Sequence, residues 1–121
     1  YQFILKASND YQFDLKKSTI LGYSNGANIA ISLLFTYDNP VGGAFLLRPM
    51  IPTHEIHSTS LEHTKVVILG GKRDTIVPPL HGKELETYFK GLKAQTRLYM
   101  LDTNHGLTQE DILILKQEMK K

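Results

Sequence analysis

Thr19-Ile20-Leu21-Gly22-Tyr23-Ser24-Asn25-Gly26-Ala27 is the stretch that decides the fold. A short apolar run with a β-branched start enters it, and a long helix-compatible apolar run, Ala27 to Phe35, leaves it. Strand, G-x-S-x-G, helix is the context that gives this pentapeptide meaning. A serine hydroxyl is a weak nucleophile and must stand clear of the backbone where a base reaches it. A sharp strand-to-helix turn does this, but it crowds the backbone two residues away on either side. Gly22 and Gly26 are expected to meet that steric demand. The turn also aims the N–H of Asn25 and the positive end of the next helix at the place where an oxyanion would form. A glycine-rich β–α turn without chemistry is the blander alternative.

Outward from this turn, strands alternate with helices. Residues 1–13 fit the end of a helix followed by a loop, and Thr19–Tyr23 is a strand. Residues 25–37 form a helix apolar on nearly all sides, as in a deeply buried helix, stopped by Asp38-Asn39-Pro40. Gly43–Leu47 and Val66–Leu69 are further strands, the second continuous and apolar like a central parallel strand. Pro78-Pro79 opens a helix with Leu85, Tyr88, Phe89 and Leu92 on one face and Gly91 at its end. Thr96–Leu101 is a fourth strand, and Thr108-Gln109-Glu110-Asp111 starts a last helix, bearing Ile112, Leu115 and Met119, with a capping-box pattern. The class is α/β, with about four parallel strands, flanking helices and right-handed crossovers. Residues 48–64 are the one long irregular connection.

A serine nucleophile needs a base, and the base needs an orienting carboxylate. In open parallel sheets both belong in loops at the carboxyl ends of strands. Asp74 follows Val66–Leu69 after Gly70-Gly71-Lys72-Arg73, and His105 follows Thr96–Leu101 in Asp102-Thr103-Asn104-His105-Gly106. Asp102 is the rival orienter. His54, His57, His63 and His81 are rival bases, although none directly follows a strand. His54-Glu55-Ile56-His57 is not the H-E-x-x-H zinc motif, so no metal is expected. Lys72 and Arg73 read as surface groups that could help keep Asp74 ionised.

Three segments carry a resemblance to a known family: 22–30, 70–78 (Gly-Gly-Lys-Arg-Asp-Thr-Ile-Val-Pro) and 104–111 (Asn-His-Gly-Leu-Thr-Gln-Glu-Asp). In this order they resemble the phospholipase/carboxylesterase family of α/β-hydrolases, close to dienelactone-hydrolase-like enzymes. The resemblance implies Ser24 as nucleophile, Asp74 as acid and His105 as base, with no cofactor and a small-molecule ester as substrate. It also implies that Arg48-Pro49-Met50-Ile51-Pro52 lies near the acyl or alcohol pocket, with Met50, Ile51 and Ile76 as substrate-binding residues. Against the family pattern the first strands are missing, and no His-Gly pair precedes Ser24 to supply a second oxyanion donor. The 121 residues therefore read as one partial domain, the C-terminal half of the fold, from which weak or undetectable turnover is expected, the alternative to an esterase being a catalytically weak or inactive half-domain. A first residue of Tyr1 instead of methionine likewise suggests a piece of something longer.

Composition narrows the partners. A net charge of +2 argues against nucleic acid or an anionic membrane. No apolar run approaches the roughly 18 residues of a membrane span. The chain has no cysteine, which excludes disulfides and thiolate zinc sites and suits a reducing cytoplasm. With one neighbour missing, Thr19–Tyr23 becomes a sheet edge. The expectation is a homodimer, or association with a missing N-terminal half.

Overall fold

A computed structural model describes residues 17–52 and 55–120. The helix end and loop expected within 1–13, and His54, lie outside these residues. Four strands form one sheet: β1 (Thr19–Tyr23), β2 (Gly43–Leu47), β3 (Lys65–Gly71) and β4 (Gln95–Leu101). They lie in sequence order and every neighbouring pair is parallel. Three helices flank them: α1 (Asn25–Thr36), α2 (Leu80–Gly91) and α3 (Gln109–Met119).

The continuous apolar runs of β2 and β3 follow from cover on both faces. Side chains alternate along a strand. Ala44, Leu46, Val66 and Ile68 therefore meet Ala27, Ile31, Leu34 and Phe35 of α1 and Leu85 and Phe89 of α2 in one core. Phe45, Leu47, Val67 and Leu69 face the other way, into a smaller core with Leu101 and Ile114. Because the strands run in order without reversal, α1 and α2 share one face of the sheet. The helix after β4 lies on the opposite face.

Three expectations are corrected. The first concerns α1, which buries only one stripe: Ile29 is 73% exposed. The outer side of α1 forms an open apolar groove of about 370 Å³ with Ile20, Ile29, Leu33 and Tyr37 among its walls. In α2, Leu85 and Phe89 are buried, whereas Tyr88 stays largely exposed at the rim, edge-on to Phe35. In α3 the capping box is present, with Thr108 as N-cap and Asp111 as its partner. The inward face is nevertheless Asp111, Ile114 and Glu118, while Ile112 and Met119 are exposed and Leu115 packs only partly. The buried acids are matched from the sheet. Glu118 faces Lys65 at 3.3 Å and Arg97 at 3.7 Å, and accepts from the Tyr99 hydroxyl at 3.1 Å.

Candidate active site

Ser24 stands between β1 and α1 with φ 55° and ψ −112°, a conformation that side-chain-bearing residues rarely adopt. Its amide donates to the Leu47 carbonyl at 2.9 Å, so the end of β2 holds the turn. A Cβ on Gly22 would lie 2.6 Å from the Gly26 oxygen and 2.7 Å from the Ala27 nitrogen, both backbone atoms that cannot yield. Gly22 thus meets the steric demand read from the sequence. Gly26 does not: among the described residues nothing lies within 4 Å of the Cβ it lacks. The demand falls on one side of the turn because the first turn of α1 passes directly over Gly22. Asn25 begins α1, where backbone N–H groups have no helical acceptor.

Asp74 and His105 are brought to Ser24 from the ends of β3 and β4. Nε2 of His105 lies 3.1 Å from Ser24 Oγ, and Nδ1 lies 2.7 Å from Asp74 Oδ2. Oδ1 of Asp74 accepts the amides of Ile76 and Val77, both at 2.8 Å. Burial pushes the Asp74 carboxyl up. The Val77 amide, the His105 ring and the Ile76 amide more than offset this, and hold it below the usual carboxylate range. The supporting groups are therefore backbone amides and the histidine. Arg73, read from the sequence as a surface group, is well exposed and pairs with Asp102, also exposed, at 3.0 Å. Asp102 is thus engaged with Arg73, while Nδ1 of His105 faces Asp74.

The loop bearing His105 is pinned through its main chain. Tyr23 donates its hydroxyl to the His105 carbonyl at 3.0 Å, and its ring lies 5.5 Å from the imidazole. A Cβ on Gly71 would meet the Asn104 oxygen at 2.5 Å, so glycine at the end of β3 lets the loop approach. Arg48, which the resemblance puts near the acyl or alcohol pocket, is 1% exposed, with φ 51°, and its guanidinium bonds the carbonyls of this loop. Sequence reasoning missed that role. The available signal was an arginine directly after a fully apolar strand together with an aspartate in the capping box of the last helix.

The residues assigned to substrate binding have varied surroundings. The Met50 amide donates to Asn28 Oδ1 at 2.9 Å, and the Ile51 amide to His81 Nδ1 at 3.1 Å. These bonds tie the loop after β2 to α1 and α2. Ile51 packs against the larger core, whereas Ile76 is exposed in the loop after Asp74. Of the rival bases, His81 is an acceptor for backbone, and His57 and His63 are exposed beside Glu55 and Glu62. Among the described residues no three His, Asp or Glu side chains come close enough to hold a metal ion.

A parallel sheet with a strained serine at a strand-to-helix turn, and a histidine and carboxylate at later strand ends, is the arrangement of an α/β-hydrolase. The chain belongs to the phospholipase/carboxylesterase family, whose model matches residues 1–121. It is 38% identical over 109 residues to MhqD of Bacillus subtilis (strain 168), a protein that carries a hydrolase name, covering 90% of this chain and 54% of that relative. Among solved structures it is similar to the Bacillus cereus carboxylesterase, with a TM-score of 0.90 at 33% identity over 97% of this chain and 55% of that one. The carboxylesterase from Mesorhizobium loti matches with a TM-score of 0.90 at 28% identity, over 98% of this chain and 56% of that one. The chain thus spans about half the length of these relatives.

Proposed function

We propose that the chain carries the serine-hydrolase centre of a carboxylesterase, with Ser24 as nucleophile, His105 as general base and Asp74 as the carboxylate that orients it. The observation that carries this reading is the unbroken hydrogen-bond chain from Ser24 Oγ through the His105 ring to Asp74, at 3.1 and 2.7 Å. His105 Nε2 takes the Ser24 proton as Oγ attacks the ester carbonyl, and the tetrahedral oxyanion is held by the Asn25 N–H. The protonated histidine then gives its proton to the departing alkoxide, which leaves an acyl group on Ser24. A water molecule, deprotonated by His105, attacks that acyl group. The acid leaves, Ser24 regains its proton, and the cycle closes. Asp74, held ionised by its two backbone amides, keeps the Nδ1 proton in place throughout. Small esters fit this chemistry best, with Met50, Ile51 and Ile76 beside the acyl or alcohol group. The absence of cysteine supports a cytoplasmic setting, and among the described residues no helix is long and apolar enough to cross a membrane.

A fluorophosphonate probe tests the reading, since it reports an activated serine. Labelling at Ser24 is expected, abolished by Ser24→Ala and strongly slowed by Asp74→Asn, with Asp102→Asn close to wild type. With p-nitrophenyl butyrate the 121-residue chain is expected to turn over weakly. The Asn25 N–H is one oxyanion donor where acyl transfer uses two, and one donor is worth on the order of 10²–10³ in rate. Equal labelling of wild type and Ser24→Ala would remove Ser24 from the mechanism.

A further inference from the structure

The side chain of Arg48 makes five hydrogen bonds, one for each N–H its guanidinium possesses. Two go to Asp111 as a fork, Nη1 to Oδ1 at 2.9 Å and Nη2 to Oδ2 at 2.8 Å. The other three go to main-chain carbonyls: Leu69 at 3.1 Å, Asn104 at 3.2 Å and Gly106 at 2.9 Å. Asn104 and Gly106 are the residues on either side of His105. Asp111 is itself fixed, accepting the amide and the hydroxyl of Thr108, each at 2.8 Å. Burial pushes its carboxyl up, but Arg48 and Thr108 more than offset that and hold it below the usual range.

A buried ion pair is seldom the cheapest way to fill a core, because desolvation consumes most of the attraction and apolar side chains of similar volume do as well. This pair differs in what its cation reaches. Its planar fork is the one protein side chain that can grip a carboxylate with one edge and three separate carbonyls with the rest. Two of those carbonyls, of Asn104 and Gly106, bracket the imidazole, in a loop with no strand or helix of its own. From this geometry we infer that Arg48, held by Asp111, is a positioning residue for His105: it sets the height and tilt of the imidazole between Ser24 and Asp74. The inference rests on the triad reading above for its chemical consequence, but the positioning itself is a property of the loop.

The test uses the full chain with Arg48→Lys and Asp111→Asn. Lysine keeps the charge and loses the fork. Asparagine keeps the shape and weakens one prong, and it serves as the second variant where the lysine variant does not melt cooperatively. Two readouts separate positioning from mere stability. The first is the proton-NMR signal of the His105 Nδ1–H bonded to Asp74, followed with temperature well below the melting point. The second is the rate of fluorophosphonate labelling per folded molecule. Arg48→Lys is expected to broaden or abolish the His105 signal while the ring signals of His81 stay unchanged. It should also slow labelling on the order of 10²-fold, the scale of a misplacement of about 1 Å. Asp111→Asn should show the same effects more weakly. A folded Arg48→Lys protein with an unaltered His105 signal and unaltered labelling would overturn the inference. If wild type is not labelled at Ser24 but the His105 signal still answers to Arg48→Lys, the positioning stands and the esterase chemistry is what fails.

Discussion

At the scale of single residues, the turn around Ser24 separates two glycines that look equivalent in the G-x-S-x-G pattern. Gly22→Ala places a Cβ against backbone atoms 2.6 and 2.7 Å away, and should lower stability by about 1–3 kcal/mol in urea unfolding. Gly26→Ala meets open space among the described residues and should stay within about 0.5 kcal/mol of wild type. Acid tests the carboxylates. Asp74 and Asp111 both have folded-state pKa values held below the usual range. A depressed carboxylate contributes stability that is present above its unfolded pKa of about 4 and is lost as pH falls through the folded value. Urea midpoints should therefore be flat above pH 5 and fall below about pH 4, and Asp111→Asn should have the shallower acid limb. Ser24, Asp74 and His105 could be picked out in the sequence because each lies in the connection that follows a strand, and parallel strands carry these connections to one edge. The role of Arg48 could not be. The resemblance put its segment beside the substrate pocket, and the carboxylate that pairs with it in the interior lies 63 residues further on.

The same limit acts on whole elements. In α3 two stripes have helical spacing: Ile112, Leu115 and Met119, and Asp111, Ile114 and Glu118, offset by one residue. Local hydropathy favours the first. The structure turns the second inward because its acids meet Arg48, Lys65 and Arg97, contacts that no window along the helix contains. The cost of removing one member follows from burial. Glu118→Ala takes the carboxylate away from Lys65, Arg97 and Tyr99 and should destabilise by about 3 kcal/mol, at the lower end for buried pairs because Lys65 keeps the main-chain carbonyl of residue 118 at 2.8 Å and some access to water. Met119→Ala, on the exposed side, should change the urea midpoint hardly at all. Strands β2 and β3 were readable because both of their faces are covered, so apolar residues run without interruption. In α1 the apolar pattern suggested burial all round, and the structure leaves one side as an open groove.

On the scale of the molecule, β1 pairs with β2 and, among the described residues, with nothing on its other side. Leu21 on this strand is 57% exposed, and the open groove beside α1 continues the apolar surface. An unprotected strand edge beside an apolar patch favours pairing with another chain. The isolated 121-residue chain should therefore scatter light as a species heavier than 13.7 kDa at micromolar concentration. Leu21→Lys, which puts a charge on the edge, should move it toward the monomer. A monodisperse 13.7 kDa wild type would refute the association.

The hydrogen bond between Ser24 and His105 closes a span of 81 residues, and the one between His105 and Asp74 a span of 31. That separation has a consequence in time. During folding, local turns and helices form first, and contacts between distant parts of the chain form late. On the proposed triad, the Ser24 hydroxyl stays an ordinary alcohol until β4 has docked and the His105 loop has settled. A nascent or half-folded chain is then expected to leave esters untouched, and fluorophosphonate labelling is expected to appear with the docking of the last strand and not before.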